Sequence, residues 1–134
     1  MRTRERWFAP LLQRSLGATS FIRGVFPHSS FRLVKRIVRK GKMIRHIRFE
    51  NEGKRLVVAR SEVDLDHSSP RLVNLLMNTD SSIGDIIKPF NVRRTRLRST
   101  TRTREFHFTG DIKARVWERF YIPSASKKKK SVIN

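Results

Sequence analysis

The chain has 134 residues, a length that fits one domain with one core. With 37% hydrophobic residues and no cysteine, it excludes a disulfide scaffold and a cysteine-rich zinc site, and points to a reducing compartment. The formal charge is +20, from 31 Lys+Arg against 11 Asp+Glu, and no apolar run approaches the length needed to span a bilayer. The charge is uneven: from Arg6 to Phe49 there is no acidic residue, Arg93 to Arg104 forms a second basic block, and Lys127–Lys130 a third. Such a field attracts anions, nucleic acid included, although no RNP-like aromatic motif, GXXG loop or paired Cys/His set is present.

The N-terminal stretch Met1–Arg23 is arginine-rich, as organelle transit peptides are, but Glu5 and Pro10 count against that reading, and a cytoplasmic location is expected. Residues 1–14 read as a basic lead-in with a short, Pro-interrupted helical segment over Trp7–Arg14. Ser15 is the expected N-cap of a helix from Leu16 to about Phe26, ended by Pro27. Phe31–Val38 and Met43–Phe49 alternate as strands. Glu50-Asn51-Glu52-Gly53 then turns the chain into a return strand over Arg55–Val63. Ser68-Ser69-Pro70 opens a helix through about Met77, with Leu72, Val73, Leu75 and Leu76 apolar. Ser82 starts a second short helix, with Asp85 three residues on and Ile83, Ile86 and Ile87 on one face. Val92–Arg98 reads as a strand, residues 99–112 carry no clear pattern, and Val116–Ile122 is the last strand. Residues 124–134 are polar and Lys-rich and read as a loose tail, leaving 15–123 as the domain. The order α-β-β-β-α-α-β-β predicts a single α+β domain, an antiparallel sheet with helices packed on one side.

Arg45 is the residue that carries chemistry. On a strand it shares a face with Met43, Ile47 and Phe49, which places a guanidinium among apolar side chains. A charge there needs a fixed anion, either an internal carboxylate or a ligand, and on the residues alone the internal salt bridge is the better reading. The free amides at Ile83 and Gly84 begin a helix, which favours an anion, and glycine at 84 permits close approach to the backbone; an ordinary capped helix is the commoner meaning of that pattern. Together, Arg45 and that helix start would clamp a carboxylate from two sides. Glu118, with Val116, Phe120 and Ile122 on its face, is expected to point inward. It then serves either as a reacting carboxylate or, as the favoured reading, as the internal partner of Arg45 or Arg60. His28, His46, His67 and His107 lack metal-ligand spacing and read as surface or structural residues.

The ordered series Arg14-Ser15-Leu16, Met43-Ile44-Arg45-His46-Ile47, Leu56 to Ser61, Asn78-Thr79-Asp80-Ser81-Ser82-Ile83-Gly84-Asp85-Ile86-Ile87 and Val116 to Ile122 resembles the chorismate pyruvate-lyases. The resemblance implies conversion of chorismate to 4-hydroxybenzoate and pyruvate, as in ubiquinone head-group supply, without metal or cofactor, by a protein expected to be monomeric. It implies that Arg45 holds the ligand carboxylate, that the Ile83 amide meets it from the other side, and that Leu16 lines the pocket. The family's glutamate, on a further strand, falls at Asn134 when counted on from Trp117, and an amide does not act as an acid or base near neutral pH. The alternatives are a relative that binds an aromatic carboxylate without turnover, and a basic nucleic-acid-binding protein.

Overall fold

The computed structural model describes residues 6–13 and 17–123. The chain folds as a single α+β domain around a six-stranded antiparallel sheet. The strands are β1 (Ser30–Arg39), β2 (Lys42–Asn51), β3 (Lys54–Asp64), β4 (Val92–Ser99), β5 (Thr103–Gly110) and β6 (Ala114–Phe120), in the spatial order β1-β2-β3-β6-β5-β4. Among the described residues four short α-helices accompany them: α1 (Ala9–Gln13), α2 (Ala18–Val25), α3 (Pro70–Asn78) and α4 (Ile83–Ile86).

The first three strands form a meander held by two tight turns. Lys40-Gly41 and Glu52-Gly53 each link a paired flank, Arg39↔Lys42 and Asn51↔Lys54, and all four turn residues have positive φ. This is the two-residue hairpin whose twist matches that of the strands, and glycine at its second position removes the steric cost. The turn at 52–53 fits the sequence expectation, and β1, β2 and β3 exceed the expected strands by two or three residues in total length.

Helix α3 begins where Ser69 and Pro70 predict it: Ser69 Oγ accepts from the Leu72 amide, and Pro70 occupies the first turn, where no amide is needed. Leu72 and Leu76, one turn apart, are fully buried. Burying each contributes about 1.5–3 kcal/mol. In the single turn α4, Ser82 Oγ accepts from the Asp85 amide, the expected half of a capping box.

Three expectations change. Helix α2 starts at Ala18 with Gly17 as its N-cap, whereas Ser15 and Leu16 lie outside the described residues. Thr103–Gly110, unassigned in the sequence, is a full strand. The segment before residue 15 also packs into the core: Trp7, Phe8, Leu11 and Leu12 are buried against Ile22, Phe49, Val57 and Phe120. Pro10 falls in the first turn of α1, where its missing amide costs nothing.

All four helices lie on one face of the sheet. One core cluster joins α1 and α2 to Phe49, Val57 and Phe120, and a second joins α3 and α4 to Met43, Val63, Phe106, Phe108 and Val116. Among the described residues no helix is long and apolar enough to cross a membrane.

Candidate functional site: an arginine-lined cavity

The two clusters meet over the middle of β2, β3, β6 and β5. In this row Arg45 stands across from Ser61, Ser61 from Val116, and Val116 from Phe106. Arg45 points inward, as the alternation predicts, and is only 1% exposed. A cavity of about 40 Å³ opens here between the sheet, α2 and the start of α4. Its walls include Phe31, Ile47, Phe49, Phe106 and Phe108, with Arg45, Arg94, Glu118, Ser61, Ser82 and Thr19 as polar groups. Ile83 and Gly84 line it too, so the fold brings four predicted site residues, Arg45, Ile83, Gly84 and Glu118, to one cavity. Leu16 and Asn134 lie outside the described residues.

The sheet positions Arg45, and the loop before α4 receives it. Arg45 Nη2 donates to the Ser81 carbonyl at 2.7 Å. Its neighbour across the strand pair, Arg36, donates to the Thr79 carbonyl at 2.7 Å and to Asp80 at 3.1 Å. Asp80 is thus taken by Arg36. Among the described residues no carboxylate lies within 4 Å of Arg45, and its Nε has no hydrogen-bond partner. Burial, with Arg36 adding repulsion against a weaker pull from Asp80, lowers the Arg45 guanidinium from its ordinary value to about 10. It therefore stays charged at neutral pH.

The expected internal salt bridge exists, but with a different cation. Glu118 Oε1 accepts from Arg104 Nε at 2.5 Å, and neither side chain is appreciably exposed. Glu118 pairs with neither Arg45 nor Arg60: Arg60 takes Glu62 at 2.8 Å. Arg104 also donates to the Leu11 carbonyl at 3.0 Å, and Arg96 donates to the Leu12 carbonyl, so this pair sits where α1 is tied to the sheet.

The sequence reading missed a second cation in the cavity. Arg94 lies across from Phe108, with its guanidinium carbon 4.9 Å from the Phe106 ring centre and 5.1 Å from that of Phe108. Its Nε has no partner, and burial, then repulsion from Arg104, lowers its pKa against the attraction of Glu118. The signal that could have found it is strand alternation from Val92, which places Arg94 on the inner face.

Besides lining the cavity, Gly84 has a packing role. A Cβ there would sit 3.0 Å from Thr19 Oγ1, so the glycine makes room for α2. Thr19 Oγ1 in turn donates to Ser82 Oγ at 3.1 Å, closing α2 over the start of α4. The cavity thus sets two guanidiniums among aromatic walls, and α2 forms its cover. No protein-family model matches the chain, and no curated protein matches it.

Proposed function

We propose that the cavity binds a small aromatic carboxylate and that the chain is a chorismate pyruvate-lyase-like protein, acting on chorismate to give 4-hydroxybenzoate and pyruvate. The observation that carries the proposal is Arg45: a fully buried guanidinium, without a carboxylate partner among the described residues, facing a cavity lined by phenylalanines. Removing a charge from water without pairing it costs several kcal/mol. A bound carboxylate would offset that cost, and Arg offers it two parallel hydrogen bonds. Chorismate carries two carboxylates, and Arg45 and Arg94 supply two cations in one cavity. Losing the enolpyruvyl group as pyruvate makes the ring aromatic, so the reaction has its own driving force. The protein's part is then to hold the dianion in a reactive conformation. At about 40 Å³ the cavity has room for about three waters, so a ring enters only as the contact of Thr19 with Ser82 and Gly84 opens.

A second reading, binding without turnover, is favoured by one specific observation. Glu118, the carboxylate in the cavity, is held by Arg104, which ties it to a structural contact. The test is purified protein with chorismate, following 4-hydroxybenzoate and pyruvate together. Stoichiometric formation of both, lost in Arg45→Ala, establishes the lyase. No turnover, with 4-hydroxybenzoate still raising the melting temperature, establishes the binding reading. Neither turnover nor a thermal shift overturns both.

A further inference from the structure

The helices leave the other face of the sheet uncovered by any described element, and that face is not apolar. Across its centre Arg60, Trp117 and Glu105 stand in one row of paired residues. The guanidinium carbons of Arg60 and Arg115 lie 5.1 and 5.3 Å from the Trp117 ring centre. Glu105 is only 5% exposed and lies between two cations, Arg98 at 3.1 Å and Arg115 at 2.7 Å. Glu50 is likewise shared by Arg48 at 2.7 Å and Arg32 at 3.3 Å. The carboxylates on this face therefore hold guanidiniums in place and are outnumbered by them. Arg119, on the same face, is exposed and has no carboxylate within 4 Å among the described residues. A groove of about 470 Å³ runs between these groups, lined by His46, Arg60, Arg98, Thr103, Trp117 and Arg119 among others.

We propose that this open face docks single-stranded RNA, with phosphates on Arg60, Arg98 and Arg119 and an unpaired base against Trp117 or the guanidinium planes it supports. Charge complementarity selects a polyanion, since the chain is +20 and the four arginines lining the groove outnumber its two glutamates, Glu105 and Glu118, although Arg60 also holds Glu62 at 2.8 Å. Shape selects a single strand. Reading a duplex through its major groove takes a projecting helix or ribbon, and the described residues of this face supply neither. Stacking on aromatic rings and arginine planes takes bases that are already unpaired, which RNA presents in loops and ends. The proposal is independent of the carboxylate cavity, which lies on the opposite side of the sheet.

Fluorescence anisotropy of the full chain with a labelled mixed-sequence RNA 12-mer, titrated at several salt concentrations, tests it. The double variant Arg60→Glu/Arg119→Glu is compared with Arg71→Glu/Lys88→Glu, which has the same net charge but is changed on the helix side. The outer-face pair should weaken binding at least about tenfold and flatten the logarithmic salt slope by about one to two, while the control changes affinity less than about threefold. A second readout needs no charge reversal: RNA should quench Trp117 emission, and Trp117→Phe should abolish the quench, because Trp7 is buried in the core. An equal loss in the control pair, a quench that survives Trp117→Phe, or equal or tighter binding of duplex DNA or of the same single strand as DNA would overturn the proposal.

Discussion

Arg45 and Arg104 are both buried arginines, but they differ in what holds them. Arg104 has a carboxylate at hydrogen-bond distance, whereas among the described residues Arg45 has only the Ser81 carbonyl. Removing one member of a buried pair strands the other, which costs about 3–5 kcal/mol. Glu118→Ala should therefore lower stability by roughly that amount in chemical denaturation, and Glu118→Gln, which keeps an acceptor oxygen, by less. A loss below about 1 kcal/mol for the alanine variant would show that the pair is not a structural element. The sequence could place Arg45 on the inner face, because Met43, Ile47 and Phe49 announce that face. It could not supply the partner of Glu118, because Arg104 and Glu105 put two adjacent charges inside a strand and hide its period. Only Phe106 and Phe108, alternating about His107, carried the strand signal there.

Among the elements, α2 and α4 decide access to the cavity. Their contact rests on Thr19, Ser82 and the missing side chain at Gly84. Gly84→Ala would bring a methyl group to 3.0 Å from Thr19 Oγ1. It should destabilise by about 1–2 kcal/mol as the helices are pushed apart. Adding Thr19→Ala removes that oxygen and should recover part of the loss, giving a favourable coupling in a double-mutant cycle. Simple additivity would mean that the two helices do not press on each other here. The existence of α4 was legible from Ser82 and Asp85, as was that of α3 from Ser69 and Pro70. What glycine does at position 84 was not, since a close approach by another helix and one by a ligand ask for the same residue.

Over the whole molecule, one sheet separates two chemistries. The helix side buries a guanidinium in a small aromatic cavity, and the open side displays guanidiniums around a groove. The α+β class and the meander of β1 to β3 were legible because alternation and turn residues agree along that stretch. The place of α1 was not, because an apolar segment interrupted by Pro10 looks like a lead-in until its four large side chains are seen to complete the core.

The proposal that Arg45 is buried for a ligand rather than for the fold can be checked in one comparison. Calorimetric titration of 4-hydroxybenzoate would be run on the intact protein and on Arg45→Met, with thermal unfolding of both. A buried cation without a carboxylate opposes folding while it is charged, below about pH 10, and a similar-sized apolar side chain does not. Binding should be saturable and level from pH 6 to 8, where Arg45 stays charged, and should weaken as the ligand carboxylate protonates near about pH 4. Arg45→Met should lose binding at least about a hundredfold while its melting temperature is unchanged or higher. Unchanged affinity in Arg45→Met, or a sharply lower melting temperature without any ligand binding in the parent protein, would contradict it.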